Sequence, residues 1–218
     1  MRVLILCAGE GYRWNNYTGV PKHKVVIEGE ILIERTVRQF LEYTDDIVIV
    51  SNGDLDVPGT SSYTAKKNKK PKDMDKFLSS CEQWSDTKTV IIYGDVYYTD
   101  EAVKIIATND RPWCFYLREG ASQITGKAWG EIFAFSFVGS LNRFILENLK
   151  NISFKPVRRN ISKPAGWTLL RYMLNVQKTK DIFVPEHSYA YINIDDWTDD
   201  FDYPWDLDTW QKLRLNSL

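Results

Sequence analysis

The chain has 218 residues, enough for one domain with a substantial core or two very small ones. With 44% hydrophobic and 26% charged residues it reads as an ordinary globular protein, and a net charge of −1 argues against bulk binding to nucleic acid or to an anionic membrane. Three scattered cysteines (Cys7, Cys81, Cys114) support neither a disulfide framework nor a zinc site, two histidines are too few for a His-rich metal site, and the opening apolar run is too short for a signal peptide or a membrane span, so a cytoplasmic location is expected.

Val3–Ala8 is a short continuous apolar run halted at Gly9, the pattern of a strand buried on both faces. Ile33, Val37, Phe40 and Leu41 recur near helical spacing and predict a helix over 31–43. The β-branched run Ile47–Val50 stops at Ser51-Asn52-Gly53 and predicts a second strand. Residues 54–72, with Pro58-Gly59, several Ser and Thr, and Lys66, Lys67, Lys69, Lys70 and Lys72, read as a solvated loop or as a flap that helps attract triphosphate. A helix is predicted over 75–84, a strand over 89–93 ending at Gly94-Asp95, a helix over 100–108 and a strand over 113–117. The second half predicts a strand over 132–137, helices over 141–149 and 167–176, short strands over 182–184 and 189–194, and a closing helix over 204–215. Strands alternating with helices imply the α/β class, here a single-domain Rossmann-like mixed sheet with helices on both faces. In such sheets ligands sit outside the carboxyl ends of the strands, where Gly9–Arg13 and Gly94-Asp95 both fall.

Leu6-Cys7-Ala8-Gly9-Glu10-Gly11-Tyr12-Arg13 sets a glycine turn behind a buried strand, which lets backbone N–H groups approach a phosphate without Cβ interference. Alone, a Gly-x-Gly is equally a tight turn. Arg13 and the Pro21-Lys22 pair add two cations and favour a polyphosphate cradle. No Gly-Lys-Ser/Thr closes a P-loop, and the third glycine of a dinucleotide fingerprint is missing. Tyr93-Gly94-Asp95-Val96 puts a carboxylate at a strand end, suited to Mg²⁺ or to an ordinary turn. Five aspartates between Asp195 and Asp202 precede Tyr203-Pro204-Trp205-Asp206-Leu207; alone, this is as much a solvated lead-in to a helix as a metal site. Lys127 and Glu131 flank an alternation of aromatic and small residues, and Lys155, Arg158, Arg159 and Lys163 form a basic stretch open to an acceptor phosphate or to solvent.

These residues resemble the nucleotidyltransferase superfamily, which includes the sugar-phosphate, phosphocholine, methylerythritol-phosphate and molybdopterin nucleotidyltransferases. Its opening, Leu-Ala-Ala-Gly-x-Gly-x-Arg, then Pro-Lys-x-Leu, then a Gly and Pro-Leu-Ile-Glu, is similar to Leu6–Arg13, Pro21–Lys24 and Ile27–Thr36. Cys7 stands for an Ala, Tyr12 for a small Ser or Thr, and Lys24 for the Leu, so Lys22 is the match by position. Shorter similarities follow at Gly94-Asp95 and at Asp200–Leu207, which resembles Asp-x-Asp-Thr-Pro-Glu-Asp-Leu with Tyr203 and Trp205 at two positions.

The resemblance implies one domain of the nucleotide-diphospho-sugar transferase type over 1–218, with a nucleotide-binding half over 1–110 and an acceptor-binding half over 111–218. It implies nucleoside triphosphate binding by Leu6, Ala8, Gly9, Glu10, Gly11, Tyr12, Arg13 and Lys22, with Lys22 and Arg13 catalytic. It further implies Mg²⁺ on Asp95 and Asp202, with Asp200 in reserve, and acceptor contacts from Lys127 and Glu131. Asp206 is expected to support the first turn of the last helix. The implied reaction moves a nucleoside monophosphate to a small phosphorylated acceptor, a sugar phosphate ahead of phosphocholine, and releases pyrophosphate. Such transfer needs charge neutralisation and alignment rather than covalent help. A glycosyltransferase of related architecture is the second reading, but Gly94-Asp95-Val96-Tyr97 lacks the second Asp of its usual Asp-x-Asp. A regulatory homologue that keeps the fold without activity is third. No nucleic-acid or membrane partner is expected.

Overall fold

The computed structural model describes residues 1–9, 11–53, 55–65, 77–154, 166–175 and 189–216. In chain order its strands are β1 (Arg2–Leu6), β2 (Val26–Ile27), β3 (Glu30–Ile31), β4 (Ile47–Ser51), β5 (Ser61–Thr64), β6 (Lys88–Tyr93), β7 (Val96–Tyr97), β8 (Trp113–Arg118), β9 (Glu131–Val138), β10 (Tyr191–Asn193) and β11 (Asp199–Asp200). Its helices are α1 (Leu32–Leu41), α2 (Asp100–Thr108), α3 (Asn142–Phe154), α4 (Gly166–Met173) and α5 (Pro204–Leu215). Seven strands form the central sheet in the order β10-β8-β9-β6-β1-β4-β5, and β2–β3 and β7–β11 form two small ribbons. β1 runs parallel to β4 and β6, whereas β9 runs antiparallel to β6 and β8, so the sheet is mixed.

Successive side chains of a strand point to opposite faces, and β1 shows the consequence. Val3 and Ile5 join one core with Ile33, Val37 and Phe40 of α1 and Val103 and Ile106 of α2. Leu4 and Leu6 join another with Ile145 and Leu149 of α3 and Leu169 and Leu170 of α4. Burial on both faces is why β1 and β4 are written as unbroken apolar runs. The Thr99 side chain accepts from the Ala102 N–H at the start of α2, where Asp100 and Glu101 sit in the first turn and favour the helix dipole. α5 covers neither sheet face. Leu207 and Trp210 pack instead with Trp14, Val25, Ile27, Leu32, Tyr97 and Phe201 in a third apolar cluster. No helix among the described residues is long and apolar enough to cross a membrane.

Two expectations are corrected. Ser61–Thr64 is a strand inside the segment read as loop; it pairs in parallel with β4, from Val48↔Ser61 to Ser51↔Thr64. Its residues are polar and mostly exposed, so no hydrophobic period marks it. The helix expected over 75–84 is broken: residues 77–79 are helical, and Cys81–Gln83 is a separate 3₁₀ turn. The lysine cluster at Lys66–Lys72, the basic stretch Lys155–Lys163 and the strand expected over 182–184 lie outside the described residues.

Candidate active site

β1 and β6 are neighbours, with Leu6 opposite Tyr93, so the turns that leave their carboxyl ends start side by side. The Gly94 N–H donates to the Leu6 carbonyl at 3.1 Å. A Cβ on Gly94 would collide with Cys7 Sγ, so only glycine lets this turn close against β1. In the other turn Gly11 takes a φ of +61° and its carbonyl accepts from the N–H groups of Trp14 (2.9 Å) and Asn15 (3.2 Å). Trp14 is buried and its indole N–H donates to the Val20 carbonyl at 3.0 Å. That staple fixes a loop with Arg13 at one end and Lys22 at the other.

Asp202 reaches the same place from the far end of the sequence. β11 pairs with β7, Asp200 opposite Val96, and the Phe201 N–H donates to the Asp95 carbonyl at 3.1 Å. These bonds set Asp202 beside Asp95. Lys22 Nζ lies 3.0 Å from Asp202 Oδ1 and 3.4 Å from Asp95 Oδ2. Arg13 Nη2 donates to the same Asp202 oxygen at 2.6 Å, and its guanidinium lies 5.2 Å from the centre of the Tyr203 ring. Burial alone would raise the Asp202 carboxyl, but Lys22, Lys127 and Arg13 outweigh it and hold the group below the usual carboxylate range.

The remaining sequence-derived residues are distributed less evenly. Leu6 is buried, the Ala8 carbonyl accepts from the Asn52 side chain at 2.6 Å, and Gly9 and Tyr12 are exposed at the opening turn. Glu10 lies outside the described residues. Lys127 is buried, and its ammonium is spent on Asp200, at 3.0 Å from the carbonyl and 2.5 Å from Oδ1. Glu131 is half-buried at the start of β9, opposite Arg118 in register. Burial first, then Asp200 and Asp202, push its carboxyl well up, against the pull of Lys127 and Arg118.

Four of the five aspartates are matched by the chain's own partners, and Asp195 is exposed. Asp196 accepts from Thr99 Oγ1 at 2.5 Å and from the Thr198 N–H at 2.7 Å. Asp199, fully buried, accepts from Ser122 and Thr125 and lies 3.0 Å from Arg118 Nη1. Asp200 has Lys127, and Asp202 has Lys22 and Arg13. Sequence reading missed Arg118 and Asp199 because each partner is distant in the chain and β7 and β11 are too short to show a period.

Among the described residues no group of three His, Cys, Asp or Glu side chains is arranged to hold a metal. Asp95 and Asp202 still offer hard oxygen donors around one point, the Lys22 ammonium. That pair suits Mg²⁺, which is commonly bound through one or two carboxylates and otherwise keeps waters and substrate phosphates.

No protein-family model matches the chain, and no curated protein matches its sequence. Solved structures do match. A protein assigned as a glucose-1-phosphate thymidylyltransferase from Bacillus anthracis, in complex with sucrose, is 14% identical with a TM-score of 0.64, over 98% of this chain and 94% of that one. The CTP:phosphocholine cytidylyltransferase of Streptococcus pneumoniae is 13% identical with a TM-score of 0.60, over 98% of both chains. The 2-C-methyl-D-erythritol 4-phosphate cytidylyltransferase of Thermus thermophilus is 14% identical with a TM-score of 0.60, over 97% of both. At such identities the likeness is one of fold. The chain has the mixed α/β fold of the nucleotidyltransferases, across nearly its whole length.

Proposed function

We propose that the chain is a nucleotidyltransferase that moves a nucleoside monophosphate from a nucleoside triphosphate to a small phosphorylated acceptor. The observation that carries the reading is the Lys22 ammonium set between Asp95 and Asp202, with Arg13 on the same Asp202 oxygen. Two cations and two carboxylates converge at the carboxyl ends of parallel strands, where ligands of open α/β sheets bind. A sugar phosphate is the favoured acceptor and phosphocholine the next; structures sharing the fold include a glucose-1-phosphate thymidylyltransferase and a phosphocholine cytidylyltransferase. Residues 1–110 form the nucleotide side of this reading and residues 111–218 the acceptor side, with Glu131 facing the acceptor. The reaction is proposed for the cytoplasm, where nucleoside triphosphates are supplied.

In the step itself an oxygen of the acceptor phosphate bonds to the α-phosphorus while the bond from that phosphorus to the bridging oxygen breaks, and pyrophosphate leaves in line. The acceptor phosphate is already ionised near neutral pH, so no general base is needed. Lys22 exchanges its carboxylate partners for the α-phosphate, and Arg13 exchanges Asp202 for the departing phosphates. The N–H groups of Gly9 and Gly11 add backbone donors that need no reorganisation during reaction. Asp95 and Asp202 would hold Mg²⁺, which would supply charge neutralisation at the phosphates.

The test is incubation with Mg²⁺, each of ATP, GTP, CTP, UTP and dTTP, and either glucose 1-phosphate or phosphocholine, with pyrophosphatase reporting pyrophosphate as phosphate. Release that requires both triphosphate and acceptor, and that vanishes in Asp95→Asn and Asp202→Asn, supports the reading. Glycosyl transfer from a nucleotide sugar, seen as release of the nucleoside diphosphate with no pyrophosphate from any triphosphate, or full activity in either variant, refutes it.

A further inference from the structure

We infer that Lys127 is a positioning residue: its buried ammonium clamps the segment from Asp199 to Asp206 so that Asp202 faces Asp95, and it touches no substrate. The inference rests on the nucleotidyltransferase reading of the Asp95–Asp202 site.

A lysine is almost never fully buried unless it is paired, and the Lys127 side chain is only 5% exposed. Its ammonium contacts all lie on one short stretch of chain: the Asp200 carbonyl at 3.0 Å, Asp200 Oδ1 at 2.5 Å and Asp206 Oδ2 at 3.5 Å. Burial alone would lower the Lys127 pKa, but Asp200, Asp202 and Asp206 raise it, so the group stays charged. Asp206 Oδ2 also accepts from the N–H groups of Asp202 (2.8 Å) and Tyr203 (2.9 Å). One carboxylate oxygen therefore joins the lysine to the peptide that carries Asp202. One residue before Asp202, the Phe201 N–H donates to the Asp95 carbonyl, so a shift of this stretch moves both carboxylates relative to each other.

Lys127 is itself held. The Ser122 N–H donates to the Lys127 carbonyl at 2.8 Å and the Gly126 N–H to the Ser122 carbonyl at 3.2 Å, which closes the turn. From that turn Ser122 and Thr125 donate to Asp199 Oδ2 at 2.5 and 2.9 Å. Residues 122–127 thus grip the acidic segment at Asp199 on one side and at Asp200 and Asp206 on the other. For Lys127 to bind an acceptor phosphate it would have to abandon a buried ion pair, and breaking such a pair on one side only is strongly unfavourable.

Lys127→Met alone strands the Asp200 carboxylate, so the decisive variant is Lys127→Met with Asp200→Asn. It removes the buried pair as a unit and keeps Asp206. The measurement is Mn²⁺ affinity, by electron paramagnetic resonance of the free ion, in the presence of each of the five triphosphates, with thermal melting as the control for folding. The double variant is expected to stay folded and to lose about 10-fold or more in Mn²⁺ affinity, as removing a residue that orients metal ligands does. Lys127→Arg keeps the charge and is expected to retain most of the affinity. Mn²⁺ affinity equal to wild type in the double variant, with only the acceptor KM raised, overturns the inference and makes Lys127 an acceptor ligand. If Lys127→Arg and the double variant lose equally, charge is not what holds the segment and the inference also falls. Should the wild type bind no triphosphate at all, the functional reading itself fails and takes the inference with it.

Discussion

Two sets of cations act on the same acidic segment, and they differ in burial. Arg118 and Lys127 have side chains 6% and 5% exposed and face Asp199 and Asp200. Arg13 and Lys22 face Asp202 and Asp95; Arg13 is 54% exposed and Asp95 33%, whereas Lys22 and Asp202 between them are 10% and 16% exposed. The chemistry is identical, carboxylate against guanidinium or ammonium, but solvent divides the roles. A buried pair cannot be broken from one side without leaving a charge out of water, so it acts as structure. An exposed cation such as Arg13 adds little to stability through its pair, and at the cleft both it and Lys22 can trade a carboxylate for a phosphate of matching charge. One run of aspartates therefore supplies both the frame and the site, which explains why the segment is more acidic than a metal alone requires.

The sharpest way to break this contrast is to remove one guanidinium from each set. Arg118→Met leaves the Asp199 charge buried with no cation, held by Ser122, Thr125 and the Asp200 N–H, and is expected to cost about 3–5 kcal/mol. Arg13→Met is expected to change stability by less than about 1 kcal/mol. Urea denaturation of both variants decides the matter; equal losses would erase the distinction between frame and site. The Arg118 ion pair lacks hydrogen-bond geometry at both terminal nitrogens, so the loss should lie toward the lower end of that range.

Lys22 separates the two roles by activity. Lys22→Ala is expected to lower turnover about 10²-fold or more, the scale of losing one preorganised donor, with the fold intact. In the protein free of nucleotide the same contacts give an opposite sign for metal affinity. Lys22 stands between the two carboxylates, so Lys22→Met should bind Mn²⁺ more tightly than wild type when no triphosphate is present. Weaker binding in that variant would mean that the lysine and the metal do not compete for one place.

Gly94 tests how closely the cleft side depends on backbone placement. Gly94→Ala drives a methyl group into Cys7 Sγ and is expected to cost about 1–3 kcal/mol, the range for overpacking a core. Cys7→Ala should restore much of the loss, because the colliding atom is then gone. No rescue would show that the methyl group is also crowded by the Leu6 carbonyl and Ile33, which lie 3.5 and 3.6 Å from it.

The strands with long apolar runs were legible in the sequence because burial on both faces leaves no polar residue to interrupt them, as in β1 and β4. α5 was legible to its ends, since Pro204 opens it and its acidic lead-in marks the first turn. β5 was hidden because an edge strand of Ser and Thr carries no period. The glycine turn, Lys22, Asp95 and Asp202 were recognisable by motif order, and the structure brings Arg13, Lys22, Asp95 and Asp202 together. The sequence offers Lys127 as an acceptor contact or as a charge flanking a core strand. Nothing in its local sequence reveals a partner 73 residues away, and only the fold shows that its charge is already used.

The smallest expected effect belongs to His23, in the 3₁₀ turn Lys22–Lys24 beside the cleft. Burial lowers its pKa from the ordinary value, Lys24 lowers it further, and Asp95 opposes both. In the unfolded chain this imidazole takes its proton near pH 6.5, and in the folded chain only at lower pH. Between the two values the unfolded state binds more protons, so this residue makes stability rise with pH up to about 6.5 and level off above it. Glu131 acts with the opposite sign, because burial raises its pKa and the native state keeps a proton that the unfolded chain gives up near pH 4. A raw stability profile mixes these contributions. The difference between wild type and His23→Gln, measured by urea denaturation from pH 5 to pH 7.5, isolates the histidine. That difference should shift against the wild type as pH falls below about 6.5. A flat difference would show that His23 titrates as a solvated imidazole, and that the turn presenting Lys22 is held more loosely than its ion pairs with Asp95 and Asp202 imply.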